Sequence, residues 1–177
     1  METIDRHTAL TLASPFAYVL ATTIDEEGKP NAIGLGWWTF VSGTPPMLAI
    51  SVAPGRYSHA NLQHCGEFVL CFPSVELAKP AWQVGKKSGR AFNKFGEGGL
   101  VAVPAKQVKP PIIEGSTAAF ECKVVNKVTA GDHTIFIADV VEVHGSPDKL
   151  VHLYSIHYTR LVGIGSDGTA VFDLAFT

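Results

Sequence analysis

The chain has 177 residues, 46% of them hydrophobic and 17% charged, with a formal net charge of −2. One folded domain over residues 1–177 accounts for that length, and so apolar a chain excludes disorder as its main state. The charge balance excludes a nucleic-acid-coating protein but not a local basic pocket for one small anion, and charge this sparse points to self-association.

Phe16 to Ile24 (FAYVLATTI) is rich in β-branched and aromatic residues and reads as a strand. Asp25 to Lys29 is a polar turn, and Pro30 to Phe40 resumes extended structure, so residues 16–40 form a hairpin. Thr44-Pro45-Pro46 ends it, and Met47 to Val52 is a short buried strand. Ala53-Pro54-Gly55 turns the chain into a short helix over Tyr57 to His64, with Ser58 as its N-cap. Gly66 ends that helix, Glu67 to Phe72 is the next strand, and Ser74 to Leu77 opens a second helix. Residues 85–99 (GKKSGRAFNKFGEGG) are basic, glycine-rich and irregular, a kind of segment that often carries function.

The second half alternates with a period of two. Phe120, Cys122, Val124 and Val128 share one face of a half-buried strand, and Glu121, Lys123 and Lys127 share the other. Ala130-Gly131-Asp132 is a hairpin turn, and a return strand ends near His144. Tyr158 to Ile164 and Thr169 to Leu174 add two further strands. Many short strands with two small helices predict a small antiparallel barrel.

Cys65, Cys71 and Cys122 form no C-x-x-C pair, which reads as reduced, mostly buried thiols in a cytoplasmic protein. The N-terminal segment has no cationic start followed by an unbroken apolar run, so no signal peptide is expected. No stretch approaches the roughly 18 apolar residues of a membrane span. His59 and His64, and His152 and His157, lack companion ligands at zinc spacing, so no metal site is expected.

Three segments bear on chemistry. Gly34-Leu35-Gly36-Trp37-Trp38-Thr39 sets glycines, which permit close backbone approach, beside two large aromatics, a setting for a flat ring. No helix follows it, so it is not a dinucleotide fingerprint. Pro54-Gly55-Arg56-Tyr57-Ser58 places a guanidinium and a hydroxyl at a helix start, where phosphate binds well. Lys86-Lys87-Ser88-Gly89-Arg90 with Lys94 adds cations. Each segment also has an ordinary structural reading, as a barrel strand, a capped helix and a solvated loop.

Together the segments NAIGLGWWTFVSGTPPMLAISVAPGRYSH, GEFVLCFPS, KKSGRAFNKF and GDHTIFIADVVEVH resemble, in that order, the flavin reductase-like, FMN-binding split-barrel family, which includes flavoredoxin-like proteins. The resemblance implies a mainly β fold, a six-stranded antiparallel Greek-key split barrel with short flanking helices. It further implies a homodimer with one flavin per subunit. By residue, it implies that Gly36, Trp37, Trp38, Thr39 and Ser42 border the flavin ring. Ser51, Val52 and Ala53 then touch the ring and ribityl chain, and Arg56, Tyr57 and Ser58 form the phosphate-side turn. Ser88, Arg90 and Lys94 belong to a further cofactor-binding loop, and His133 is the candidate catalytic residue on the nicotinamide side. Cys71, Ala138 and Asn93 depart from the Asn, Gly and Asp common in the family. The implied activity is an NAD(P)H-dependent flavin reductase that holds FMN and takes a hydride from NADH or NADPH. The alternatives are a flavoredoxin-type electron carrier served by a redox partner protein, and a non-catalytic flavin-binding module.

Overall fold

Strands dominate the computed structural model, which describes residues 2–148 and 151–175. In chain order the elements are α1 (Arg6–Leu12), β1 (Phe16–Ala17), β2 (Val19–Ile24), β3 (Pro30–Leu35), β4 (Trp38–Gly43), β5 (Pro46–Val52), α2 (Tyr57–Cys65), β6 (Glu67–Pro73), a 3-10 turn (Val75–Leu77), α3 (Ala78–Lys86), β7 (Ala102–Val103), β8 (Ile112–Ile113), β9 (Ser116–Ala130), β10 (His133–Gly145), β11 (His152–Ile156), β12 (Arg160–Ile164) and β13 (Ala170–Ala175). The main sheet is seven-stranded and antiparallel, in the order β3-β2-β6-β9-β10-β5-β4, and a four-stranded sheet runs β1-β11-β12-β13.

The topology of the main sheet forces it to curl. Its two edge strands, β3 and β4, are consecutive in the chain and joined only by Gly36 and Trp37. A flat sheet of this size would hold its edges roughly 29 Å apart, at about 4.8 Å per strand. Two linking residues reach only about 10 Å. The sheet therefore bends until its edges meet at that link, which gives the barrel expected from the sequence. The main sheet has seven strands rather than six because Gly36 and Trp37 break the 30–40 segment into two.

Two cores follow from the curl. Inside the barrel, Val19, Ala21, Phe68 and Leu70 meet Leu48, Ile50, Val52 and Phe136, and Leu62 of α2 closes one end. Outside it, Leu20, Val69 and Cys71 of the same strands pack under Ala78, Ala81 and Trp82 of α3. Strands β2 and β6 are thus covered on both faces, which explains why Val19 to Thr23 and Phe68 to Cys71 are buried without alternation.

The structure corrects several local expectations. Helix α1 was not expected; Asp5 caps it by accepting the Thr8 N–H at 3.0 Å. The 16–24 strand changes sheets at Tyr18, so its first two residues pair with β11 instead of β3. Tyr158 lies in the turn before β12, with φ of 55°. Ser58 does not cap α2: Arg56 holds the N-cap position without a side-chain cap, and Ser58 is buried as the second residue of the helix.

Glu121, assigned to a polar face, is fully buried at 0% exposure. The reason is the segment that crosses its face of the sheet. The Glu121 carboxylate accepts backbone N–H groups from Lys106 at 2.8 Å, Gln107 at 2.6 Å and Val108 at 3.2 Å, and meets His144 Nε2 at 2.6 Å. Burial pushes its pKa up, but the Lys106 and Gln107 N–H groups and His144 outweigh burial and hold it below the ordinary value.

A group with a depressed folded pKa stabilises above its unfolded value, and that stability is lost as pH falls through the folded value. Glu121→Gln turns an amide N–H₂ toward backbone donors and should cost about 3 kcal/mol at neutral pH. The deficit relative to the unsubstituted protein should shrink as pH falls below the ordinary carboxylate range. Urea titrations across pH measure both; a pH-independent difference would remove the charged carboxylate from the account.

Candidate functional site

Past the Gly36–Trp37 link the two edges of the sheet separate. Strand β4 turns away along β5, pairing Trp38 with Ile50, and the Ser51 N–H donates to the carbonyl of Trp37 in the link at 3.0 Å. The end of β5, Ser51 to Ala53, is left facing β3 across a gap. That gap is a cleft of about 650 Å³, within the range of small-molecule and cofactor sites. Its walls are β3 from Asn31 to Leu35, the end of β5, the start of α2, and the segment from Trp82 to Gly89; Tyr18, Lys94, His133 and Tyr158 complete it.

One end of the cleft is cationic. Helix α2 begins there with no side-chain cap and no acidic residue in its first turn. Its first N–H groups carry the positive end of the helix dipole. Arg56 lines the cleft beside them. Three polar links fix this turn in place. Tyr57 donates to Asp25 Oδ2 at 2.8 Å, Asn31 Nδ2 donates to Ser58 Oγ at 2.7 Å, and Asn61 Nδ2 donates to Thr23 Oγ1 at 3.0 Å. Lys94 is buried behind the turn, where its Nζ donates to the carbonyls of Ala32 and Val84. Burial, with the nearby Arg56 charge, pulls its pKa down to about 8.

The other end is lined by glycine backbone and aromatic rings. The Tyr18 hydroxyl donates to the Ala81 carbonyl at 3.1 Å and lies between two glycines. A Cβ on Gly34 would come within 2.1 Å of that oxygen, and one on Gly85 within 2.4 Å. Only glycine at both positions lets β3 and α3 close on the phenol. Burial raises the Tyr18 pKa far above its ordinary value. Tyr158 reaches the same end from the C-terminal sheet. Its left-handed turn is held by the His157 N–H to Ser14 Oγ and the Tyr158 N–H to Ser155 Oγ, each at 3.0 Å. At the mouth, Trp37 and His133 contact ring to ring, with centroids 4.8 Å apart. His133 Nδ1 lies 2.7 Å from Asp132 Oδ1. An ionised carboxylate only accepts, so Nδ1 carries the hydrogen, and Nε2 has no hydrogen-bond partner among the described residues. The bond from His133 holds the Asp132 carboxyl below its ordinary pKa.

Gly36, Trp37, Ser51, Val52, Ala53, Arg56, Tyr57, Ser58, Ser88, Lys94 and His133 all line this one cleft. Trp38, Thr39, Ser42 and Arg90 do not. Trp38 belongs to the barrel interior, with its ring against Phe72 and its Nε1–H on the Ala17 carbonyl at 3.1 Å. Thr39 and Ser42 follow β4 along β5, away from the gap. Arg90 lies outside the lining, with its guanidinium over the Tyr57 ring and Nη1 donating to the Gly55 carbonyl at 3.4 Å. Sequence reasoning missed Asn31, Tyr18, Trp82 and Tyr158. Of these, Asn31 alone carried a signal, as a polar residue inside an apolar strand. No group of three or more His, Cys, Asp or Glu side chains able to hold a metal occurs among the described residues.

The sequence profile of the family described as "Flavin reductase like domain" matches residues 12–161, and the chain belongs to that family. An uncharacterised protein of Archaeoglobus fulgidus is 37% identical over 137 residues, covering 76% of this chain and 77% of its own. Among solved structures, an FMN-binding protein from Thermus thermophilus with bound p-hydroxybenzaldehyde is similar with a TM-score of 0.79 at 23% identity, over 88% of this chain and 91% of its own. The NADH:FAD oxidoreductase of Streptomyces globisporus C-1027, in complex with NAD and FAD fragments, is similar with a TM-score of 0.80 at 21% identity, over 96% of this chain and 100% of its own. At these identities the two structures establish the split-barrel fold, and with it the mainly β class expected from the sequence.

The Tyr18 wall makes a paired test. Helical alanine is more favourable than glycine by about 1 kcal/mol, so Gly85→Ala in α3 should raise the melting temperature unless the phenol blocks it. In Tyr18→Phe the nearest atom left to that Cβ lies at 3.7 Å, an ordinary contact. Gly85→Ala should therefore lower the melting temperature of the unsubstituted protein and raise that of Tyr18→Phe. The same shift in both backgrounds would contradict the packing described.

Proposed function

We propose that the cleft holds FMN and that the protein is an NAD(P)H-dependent flavin reductase. One observation carries this reading. A single cleft joins a cationic helix start at one end to a glycine-backbone and aromatic wall at the other, the two chemistries that a phosphorylated flat ring requires. The residues present fit such a group. The uncapped α2 turn with Arg56 supplies donors for a phosphate, and a Cβ at Gly55 would meet nothing within 4 Å, so that backbone is open. Family membership and the FMN and NAD–FAD descriptions of the structural neighbours support the same reading.

Bound flavin supplies the hydride and electron chemistry itself. This chain's residues have three tasks. Arg56 and the first N–H groups of α2 hold the phosphate, with bidentate geometry open to the guanidinium. The backbone from Gly34 to Gly36 and from Ser51 to Ala53 borders the ring. His133, oriented by Asp132, presents Nε2 at the mouth, where the nicotinamide donor enters. Lys94 serves the site from behind, as the bolt between β3 and α3. Thr39 and Ser42 drop out of the proposed set, and Trp38 supports it through the core. A second copy of the chain covers the outward valines Val125, Val128 and Val141, which are exposed on the β9–β10 hairpin. The three free cysteines suit a cytoplasmic location.

The reaction is tested anaerobically. Protein reconstituted with FMN should lose its yellow absorption on addition of NADH or NADPH. Bleaching only by a reduced partner protein would replace the reductase with an electron carrier, and bleaching by neither would leave a flavin-binding module.

A further inference from the structure

The outer wall of the cleft carries charge that flavin binding leaves without a task. Between Gly85 and Gly96 the chain has Lys86, Lys87, Arg90 and Lys94 and no acidic residue. The protein carries −2 overall, so four positive charges gather in this one segment against −6 over the rest. Lys94 is committed inside, to two backbone carbonyls. The other three are exposed. Each lies on an aromatic ring: Lys86 Nζ is 4.8 Å from the Trp82 ring centroid, Lys87 Nζ 4.1 Å from that of Phe92, and the Arg90 guanidinium 5.1 Å from that of Tyr57. A ring face positions a cation without neutralising it. No ion pair holds Lys87 or Arg90 among the described residues. Asp25, the carboxylate behind Tyr57, is taken up by the Tyr57 hydroxyl and the N–H groups of Glu27 and Lys29.

These charges are spread along the cleft. A Cβ on Gly85 would lie 3.7 Å from Gly34 Cα, and one on Gly89 would lie 3.0 Å from Tyr57 Cδ1. The segment between them therefore runs from the ring end to the α2 start, with Lys86, Lys87 and Ser88 in the lining. The flavin phosphate belongs at the α2 start with Arg56. The remainder of a flavin is uncharged, so Lys86 and Lys87 face a stretch where it brings no anion. A wall of one sign concentrates substrates of the opposite sign.

The two nicotinamide donors differ in one group. Both carry a diphosphate with one charge per phosphate, and NADPH adds a 2′-phosphate of about −1.5 to −2 at neutral pH. Three exposed cations exceed the charge of the diphosphate and match the larger total. We infer that the wall from Lys86 to Arg90 selects NADPH over NADH, with Lys86, Lys87 and Arg90 as the specificity-determining cations. This rests on the reductase reading above and names its donor.

The test pairs steady-state reduction with equilibrium binding on FMN-loaded protein. The unsubstituted protein should use NADPH with a kcat/KM about 10-fold above that for NADH, two exposed charge contacts at about 3-fold each. The ratio should shrink as salt is raised. Adenosine 2′,5′-bisphosphate should bind more tightly than adenosine 5′-monophosphate. Lys87→Gln should weaken the bisphosphate and raise the KM for NADPH by about 2- to 5-fold, with a smaller effect on NADH, and Lys87→Glu should do so more strongly. Lys123→Gln, on β9 outside the lining, should change neither. Equal use of the two donors by the unsubstituted protein would overturn the inference. So would a preference for NADPH that survives Lys86→Gln and Lys87→Gln together. Equal losses for NADH and NADPH would assign the wall to the diphosphate, and loss of FMN affinity would assign it to the flavin phosphate; each contradicts the inference and leaves the reductase reading standing. Bleaching of the flavin by neither donor would overturn the reductase reading and this preference with it.

Discussion

The structure depends on a two-residue link. Gly36 and Trp37 join strands that lie at opposite edges of a seven-stranded sheet. No flat sheet satisfies that connection, so the curl, the enclosed core and the slot all follow from it. The slot is the place where the edges, brought together at the link, part again. A barrel closed by hydrogen bonds along its whole length would have no such opening. The cleft is thus a product of topology before it is a product of any side chain.

What the side chains add is rigidity. The β2–β3 hairpin holds the start of α2 through Tyr57–Asp25, Asn31–Ser58 and Asn61–Thr23, and Lys94 ties β3 to α3 from behind. Groups fixed in this way need little reordering when a ligand arrives. The arrangement has a cost, because it leaves a lysine ammonium and an amide oxygen buried. Two backbone carbonyls accept from the ammonium, and the amide oxygen has no hydrogen-bond partner among the described residues. Arg56 stands at one end because α2 begins where β5 runs out, while Trp37, His133 and Tyr158 reach the cleft from three separate turns.

Much of this was legible in the sequence where the signal is local. The period of two from Phe120 onward marked β9, although Val128, placed on its half-buried face, is exposed because the hairpin runs out beyond the core, and the turn at Pro54-Gly55-Arg56 marked the helix start that lines the cleft. Other features depend on partners distant in the chain. Glu121 looked like part of a solvated face because the segment that covers it, Lys106 to Val108, cannot be placed by periodicity. Trp37 and Trp38 look alike in sequence, but consecutive residues of extended chain point to opposite faces, so one faces the cleft and its neighbour the barrel core. Tyr18 is an ordinary strand tyrosine until Gly34 and Gly85 are seen on either side of its hydroxyl. Ser58 resembled a cap because serine favours that position, but the buried amide of Asn31 claims its oxygen instead.

The central claim is that the cleft is polar in a definite sense, with the phosphate of a flavin at the α2 start and the ring against the glycine strand. The most direct measurement is the affinity of Arg56→Ala for FMN beside its affinity for riboflavin, which lacks the phosphate. Loss of a charge-assisted bond of about 1.5–3 kcal/mol weakens FMN by roughly 10- to 150-fold, and riboflavin binding should be unchanged. Equal losses for the two flavins, or no loss for either, would contradict the orientation and remove Arg56 from the site.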